Sequence, residues 1–379
     1  MSIDPTNFIL LDAAVPEQRA RWEDLWDAWP HGDVVAHPGY VQLFARPEDR
    51  GVCACQVGRS GGILFPLIVR PLCVEPWAGG ETESCDLVSP YGYGGPFGWG
   101  SFDVDAFWEG FDQWARAMHA VSLFARLSLF KDQLIPFYGE TIVKGPCVIV
   151  SLKQDPDDIF RGYEKAAREN IRQAKRAGVT VEPDPDCRRL EEFLAVYSAT
   201  MNRLGALPIY YFPRSFFDRL IAELAGHVVL FHALHHQRVL STELLLISEH
   251  YLYSFLGGTL EEGFPLRANP LLRHEINLWA RANGKQQVVL GGGGILDRTV
   301  FFATSSDMRP MEVLPLALGL EFSTALRMRP LLTYVQLGSA GREISGHHPA
   351  TIFRPTAADP PALDYGFSIR SSHHQTCHG

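Results

Sequence analysis

Two stretches decide the fold, WARAMH at Trp114–His119 and WARANG at Trp279–Gly284. Each closes an amphipathic segment, VDAFWEGFDQWARAM in the first case and PLLRHEINLWARAN in the second. Phe107, Phe111 and Trp114 recur at helical spacing and share one face. Each helix is followed by a β-like run, AVSLFARLSLF or QQVVLGGGG. In both, the tryptophan is placed to pack on a sheet, and the alanines let the helix approach it closely.

Working outward from each stretch gives the same order of elements. Ahead of the second lie the hairpin VVLFHAL and RVLSTELLLIS, turning at His235–Gln237, and the strand YLYSFLGG. Ahead of the first lie the runs VCACQV and ILFPLIV, joined by GRSGG, a glycine-rich hairpin signature. A long Pro/Gly-rich loop, PWAGGETESCDLVSPYGYGGPFGWG, then leads to the helix. Helical patterns precede both hairpins, RARWEDLWDAW in one half and RLEEFLAVYSATMNRLG in the other. Both halves therefore read as helix, hairpin, strand, loop, helix, strand, which predicts a duplicated α/β unit with mixed sheets flanked by helices. The boundary falls near Cys147, giving units over 1–147 and 148–310 and an atypical Pro-rich tail over 311–379. Asp155-Pro156 is expected to cap one long helix and Asn269-Pro270 to open another. Gly205 and Gly284 are expected to terminate helices.

The 379 residues are 46% hydrophobic and 20% charged, enough to bury a core and in line with two domains. A formal net charge of −9 argues against nonspecific coating of nucleic acid, while leaving room for a local basic groove. The 7 cysteines are odd in number and scattered, which suits reduced thiols in a cytoplasmic protein better than a disulfide framework. No apolar run approaches the roughly 20 residues of a membrane helix, and the first residues lack a basic region ahead of an apolar one. A cytoplasmic protein without a membrane span is the expectation.

Several residues are placed to do chemistry. Arg161, Lys165, Arg168, Arg172 and Lys175/Arg176 fall on one face of the helix predicted from Asp155, opposite Phe160, Tyr163, Ala167, Ile171 and Ala174. Such a stripe can hold the phosphates of a nucleic acid or cofactor, although a solvated helix face is its commoner origin. Alternation puts Tyr251, Tyr253 and Phe255 on one side of YLYSFLGGT, with Gly257-Gly258 permitting close approach of a ligand; core aromatics are the plainer reading. Arg267 and Asn269 stand at a helix start whose free amides favour an anion. The loop SPYGYGGPFG carries Tyr91 and Tyr93, and Asp86 precedes it; either a proton acceptor or a turn-capping aspartate fits. Glu243 sits inside apolar LSTELLL, where burial would suit a general base; an exposed strand glutamate is the alternative. The glycine run Gly291–Gly294 lacks a phosphate-loop lysine, and G-x-S-x-G does not occur. The pairs His235-His236 and His347-His348 have no second ligand pair at metal spacing, so no metal is expected.

The residues resemble the Fem-type acyltransferases, proteins of two tandem GNAT-like domains. The matching stretches are ARENIRQAKRAGV, MNRLG with Tyr211-Phe212 following, STELLL, YLYSFLGGT, FPLRANPLLRHEINLWARANG and VLGGG, and SPYGYGGPFG resembles the first-domain loop. The likeness runs over about 40–295 and is most specific from Ser241 to Gly293. It implies an N-acyltransferase that moves an acyl or aminoacyl group from acyl-CoA or aminoacyl-tRNA, a co-substrate and not a tightly held cofactor, to an amine. The acceptor would be a small molecule or peptide, with the acceptor stem of tRNA a further partner. It places Tyr251, Tyr253, Arg203 and Tyr211 against substrate and Asp86 near a polar site of the first domain, with Glu243, Asp86 or a chain of waters taking the amine proton. The basic helix (Lys165, Arg168, Arg172) would meet donor phosphates, and backbone amides would stabilise the oxyanion. The chain departs from the pattern after the glycine strand. Phe302-Ala303 stands where the family has an aromatic residue followed by lysine, and the pattern is lost from Leu296 onward, as a reading-frame change there would produce. A catalytically silent protein that kept the cleft is the alternative which that departure raises.

Overall fold

A computed structural model describes residues 8–58, 60–78, 83–143, 147–291 and 315–318. The segment 296–310, with Phe302-Ala303, lies outside them, as do His347-His348 and the rest of the 311–379 tail apart from 315–318. In the first half the elements run β1 (Phe8–Asp12), α1 (Pro16–Ala28), α2 (Pro38–Phe44), β2 (Arg50–Val57), β3 (Gly62–Pro71), β4 (Cys85–Val88), β5 (Phe97–Trp99), α3 (Val104–Ala117), β6 (Ala120–Arg126) and β7 (Glu140–Val143). The second half continues with β8 (Val148–Ser151), α4 (Pro156–Gly162), α5 (Lys165–Arg176), β9 (Thr180–Asp184), α6 (Leu190–Leu204), α7 (Arg214–Glu223), β10 (Val228–His235), β11 (Arg238–Ile247), β12 (Tyr251–Thr259), α8 (Ala268–Ala282) and β13 (Gln287–Gly291), and β14 (Pro315–Leu318) follows.

Two mixed sheets result. One has the order β1-β2-β3-β4-β6-β14-β7, with β5 on β3; the other has β8-β13-β12-β11-β10-β9. The runs β1-β2-β3-β4-β6 and β9-β10-β11-β12-β13 repeat one pattern, three antiparallel pairings and then a parallel one, β4 with β6 and β12 with β13. A parallel pair needs a crossover, and α3 and α8 supply it. These are the two helices that end in WARA. Phe107, Phe111 and Ala115 of α3 pack on Val52, Phe65, Leu87 and Leu123, while Leu272, Ile276 and Ala280 of α8 pack on Val229, Phe231, Leu245 and Val288. Ala115 and Ala280 are fully buried, so the helix backbone lies close to the sheet in both copies, and the duplication is present in the fold.

Three local expectations are corrected. The helix predicted from Asp155 is two helices, broken between Gly162 and Lys165, and the Asp155 side chain makes no capping bond. At the break Tyr163 turns inward, where its hydroxyl accepts from Asn277 Nδ2 at 2.9 Å; a buried aromatic with a satisfied hydroxyl offsets the lost helical turn. The last helix opens at Ala268 and not at an Asn269 cap: Arg267 occupies the cap in a left-handed conformation (φ 56°), and fully buried Ala268 fixes the start. The simple alternation expected along YLYSFLGGT is interrupted at Phe255, although Phe255 still packs on Tyr91, in the loop whose Tyr93 packs on Tyr253. A β-bulge pairs Leu245 with Ser254 and Leu244 with Leu256, leaving Phe255 as the extra residue.

The halves meet through α1, α2 and the single helical turn Val34–Ala36 of the first, against α7 and the β11–β12 turn of the second. Arg19 pairs with Glu223 at 2.7 Å, and the rings of His37 and His227 both lie against Trp26. Among the described residues no helix is long and apolar enough to cross a membrane, and no group of three or more His, Cys, Asp or Glu side chains is placed to hold a metal ion.

Candidate active site

The second sheet contains a fork. Among the described residues, strands β12 and β13 pair only over Tyr251–Tyr253 and Gln287–Val289, after which β12 pairs with β11 alone as far as Gly258; at Thr259 its amide donates to Thr200 Oγ1 of α6 at 3.0 Å. Its residues Ser254–Gly258 are half-exposed, whereas Tyr251–Tyr253 are buried. A strand edge inside a sheet offers unpaired amides and carbonyls to a ligand. The bulge at Phe255 lies at the point of separation and turns β12 away from β13. The equivalent fork of the first sheet is shut: β4 pairs with β6 along its whole length, and past its end Ser89 N donates to Phe124 O and Arg126 N to Ser89 Oγ, both at 2.9 Å.

The proposed site residues are divided between the two faces of the second sheet. Glu243 pairs across the strands with Phe231, which packs on Trp279, so it faces α8. It is 1% exposed, accepts from the hydroxyl of Ser254, and pairs with Arg273 of α8 at 2.6 Å; Arg273 also donates to Ser254 Oγ at 3.0 Å. Burial pushes the Glu243 carboxyl above its ordinary range, with Arg273 and Ser254 opposing. Ser254, the first residue beyond the fork, thus carries the carboxylate's influence to the open edge.

Tyr251 and Tyr253 face the other way, toward the first half. Tyr251 stacks on Phe130 at 3.7 Å, and its hydroxyl accepts from Gln133 Nε2 at 2.8 Å. Tyr253 is 5% exposed and donates its hydroxyl to Asp33 at 2.7 Å, which together with burial holds the phenol well above its usual titration range. Tyr93 packs on Tyr253, and its hydroxyl meets Cys147 Sγ. Tyr91 bridges to the fork through Phe255, at 6.2 Å between rings, and Arg126 lies over the Tyr91 ring at 5.9 Å. Tyr210, exposed by 42%, and Tyr211, by 39%, complete an aromatic rim, close enough for Tyr210 to act on the Tyr91 phenol and for both to act on Tyr197.

The remaining candidates sit apart from this group. Asp86 accepts from Ser122 Oγ at 2.6 Å near Arg70 and Glu75, and burial raises its carboxyl. Arg203 lies over the exposed ring of Phe264, in the turn ahead of α8, and Arg267 is exposed at the α8 start beside half-buried Asn269. Of the basic stripe, Arg168 bonds the carbonyls of Arg161 and Tyr163 at the helix break, and Arg172 pairs with Glu169 and stacks on Phe160. Lys165 is exposed on the first turn of α5. Sequence reasoning missed Asp33, Ser254, Arg273 and Tyr210. Of these only Arg273 carried a signal, falling a few residues into the helix that follows the glycine pair.

Residues 161–295 match the family model described as "Acetyltransferase (GNAT) domain". Among solved structures the chain is similar to FemX, at 15% identity and a TM-score of 0.55 over 74% of this chain and 89% of that one. It is similar also to a conserved protein of unknown function from Bacteroides thetaiotaomicron VPI-5482, at 11% identity and 0.51 over 79% and 96%. A tandem GNAT protein from the clavulanic acid biosynthesis pathway aligns at 13% identity with a TM-score of 0.45 over 84% and 99%. No curated protein sequence matches the chain.

Proposed function

We propose that the chain is an N-acyltransferase of the Fem type, built from units over 1–147 and 148–310, that transfers an acyl or aminoacyl group from an activated donor to an amine. The observation that carries this reading is the fork at Tyr253/Val289, within the segment that matches the GNAT domain. The donor, acyl-CoA or aminoacyl-tRNA, lies along the free edge of β12 with its carbonyl at the bulge. Its phosphates reach toward the α8 start, where free amides and Arg267 favour negative charge. An amine entering past Tyr91, Tyr210 and Tyr211 attacks that carbonyl to form the C–N bond, and a strand amide at the bulge steadies the oxyanion, a contribution of roughly 2.7–4 kcal/mol for one such donor. Collapse of the oxyanion breaks the C–S bond of the acyl-CoA, or the C–O bond to the ribose of aminoacyl-tRNA, and the thiolate or ribose oxygen departs with the donor and takes a proton from water.

The amine must lose a proton as the amide forms. Glu243 receives it through the Ser254 hydroxyl, since burial has raised the affinity of its carboxyl for protons and Ser254 stands between it and the open edge. Among the described residues Asp86 meets Ser122, Arg70 and Glu75 and none of the fork, which favours Glu243 over it. Purified protein is to be incubated with radiolabelled acetyl-CoA, longer acyl-CoAs or aminoacyl-tRNA and a panel of primary amines. Amide formation from one donor supports the reading; donor binding without transfer supports the silent protein that Phe302-Ala303 suggests. No binding of any donor rejects both.

A further inference from the structure

The fork is formed by the second half, yet its last closed rung is gripped by the first. Asp33 is 0% exposed and immediately precedes the single helical turn Val34–Ala36. One carboxylate oxygen accepts from Ser248 Oγ at 2.9 Å and the other from the Tyr253 hydroxyl at 2.7 Å. Ser248 Oγ in turn accepts from Val34 N at 2.8 Å, and Trp26 Nε1 donates to the Asp33 carbonyl at 2.7 Å. Ser248 begins the turn into β12, its amide donating to Tyr251 O, and Tyr253 is the last residue of β12 paired to β13. Two hydroxyls, one from the β11–β12 turn and one from the last residue of β12 paired to β13, thus converge on one carboxylate of the other half.

Among the described residues no cation joins this cluster, and burial raises the Asp33 carboxyl. A buried carboxylate without a counter-ion is an expensive way to glue two surfaces that apolar side chains would join more cheaply. It provides direction: its two oxygens accept two hydroxyls at fixed angles and so fix where the Tyr253 ring, and the strand carrying it, stands.

We infer that Asp33 is a positioning residue for the donor site: through Ser248 and Tyr253 it sets where β12 parts from β13, so the first half determines the aperture into which the donor fits. The inference rests on the fork being the donor site, but its first test needs no donor. Amide hydrogen–deuterium exchange is compared in wild type, Asp33→Asn, Tyr253→Phe and the double variant, with Ser248→Ala as a gentler variant should Asp33→Asn fail to fold. The expected result is faster exchange confined to Tyr253–Gly258, by about tenfold, the factor that follows from loss of one buried hydrogen bond. The double variant should exchange no faster than the worse single, since both cut the same link.

Where wild type binds coenzyme A or an acyl-CoA in calorimetry, the variants should lose affinity by a similar factor, and Asp33→Asn and Ser248→Ala should do so with the KM for the amine unchanged. Lower melting temperature with exchange at Tyr253–Gly258 and donor affinity both unaltered overturns the inference, leaving Asp33 as interface glue. So does wild-type behaviour in every variant. Wild type that binds no donor rejects the donor reading of the fork, and local exchange then decides alone whether Asp33 sets the strand.

Discussion

Replacing Gly39 with alanine tests whether the two halves are as closely seated as the fold requires. Gly39 lies in α2, buried against α7, and a Cβ there would stand 2.4 Å from the carbonyl oxygen of Glu223, 3.0 Å from its carbonyl carbon and 3.1 Å from its Cβ. The nearest obstacle is backbone and cannot swing aside. Restoring van der Waals contact means parting α2 from α7 by about 1 Å, which also stretches the Arg19–Glu223 pair on the same seam. Overpacking of this kind costs about 1–3 kcal/mol. The higher helix propensity of alanine offsets at most ~1 kcal/mol, and less in the first turn of a short helix. Destabilisation wins by about 1–2 kcal/mol, a fall of several degrees in the melting temperature for a unit of this size. Urea and thermal unfolding of Gly39→Ala measure it, with exchange of α7 amides locating the effect. A melting temperature equal to or above that of wild type, with α7 exchange unchanged, refutes the close seating of α2 on α7.

Other outcomes follow from the same geometry. Glu243→Gln keeps the shape but removes the proton acceptor, so kcat should fall by roughly 10²–10⁴-fold with donor affinity preserved; an unchanged kcat removes Glu243 from the chemistry. Burial, the main cause, pushes His37 down to about 3 and His274 down to about 4, below the ~6.5 of an unfolded chain. The unfolded chain therefore binds more protons in between, and stability present above pH ~6.5 is lost progressively toward pH ~4. A urea midpoint that is the same at about pH 7.5 and about pH 5 would contradict this. Arg168→Ala should lower stability by about 1 kcal/mol because its guanidinium caps the carbonyls at the helix break, while Lys165→Ala should leave it unchanged. Equal melting temperatures for the two variants would return Arg168 to the phosphate-facing role its spacing suggests.

The repeated fold was legible because its evidence is local. Helix spacing around Phe107 and Phe111, the alanines at 115 and 280 and the hairpin turn at His236-Gln237 each report on a few neighbouring residues, and each is found in place. Faces were harder. The bulge at Phe255 and the one between β10 and β11 at Ala233/Leu234 reset the side-chain alternation, so nothing in STELLL or YLYSFLGG revealed that Glu243 and Tyr253 look in opposite directions. Partners distant in sequence were illegible altogether: Asp33 meets Ser248 and Tyr253 only because the halves have docked, and HGDVV reads as an ordinary turn. The basic stripe shows the converse, since its periodicity was real but Arg168 spends its charge on nearby carbonyls.

Among the described residues, the one-sided stretch of β12 from Ser254 to Gly258 also acts as a ruler. At about 3.3 Å per residue it is roughly 16 Å long, and β8 already occupies the far side of β13. On the proposed donor reading, a slender, unbranched arm suits this edge, lying along it like a short extra strand and ending where the gap closes at Tyr253. A donor whose reactive end hangs from a much shorter arm would then stop before the tip, so on that reading the depth of the notch selects for reach before any side chain selects for chemistry.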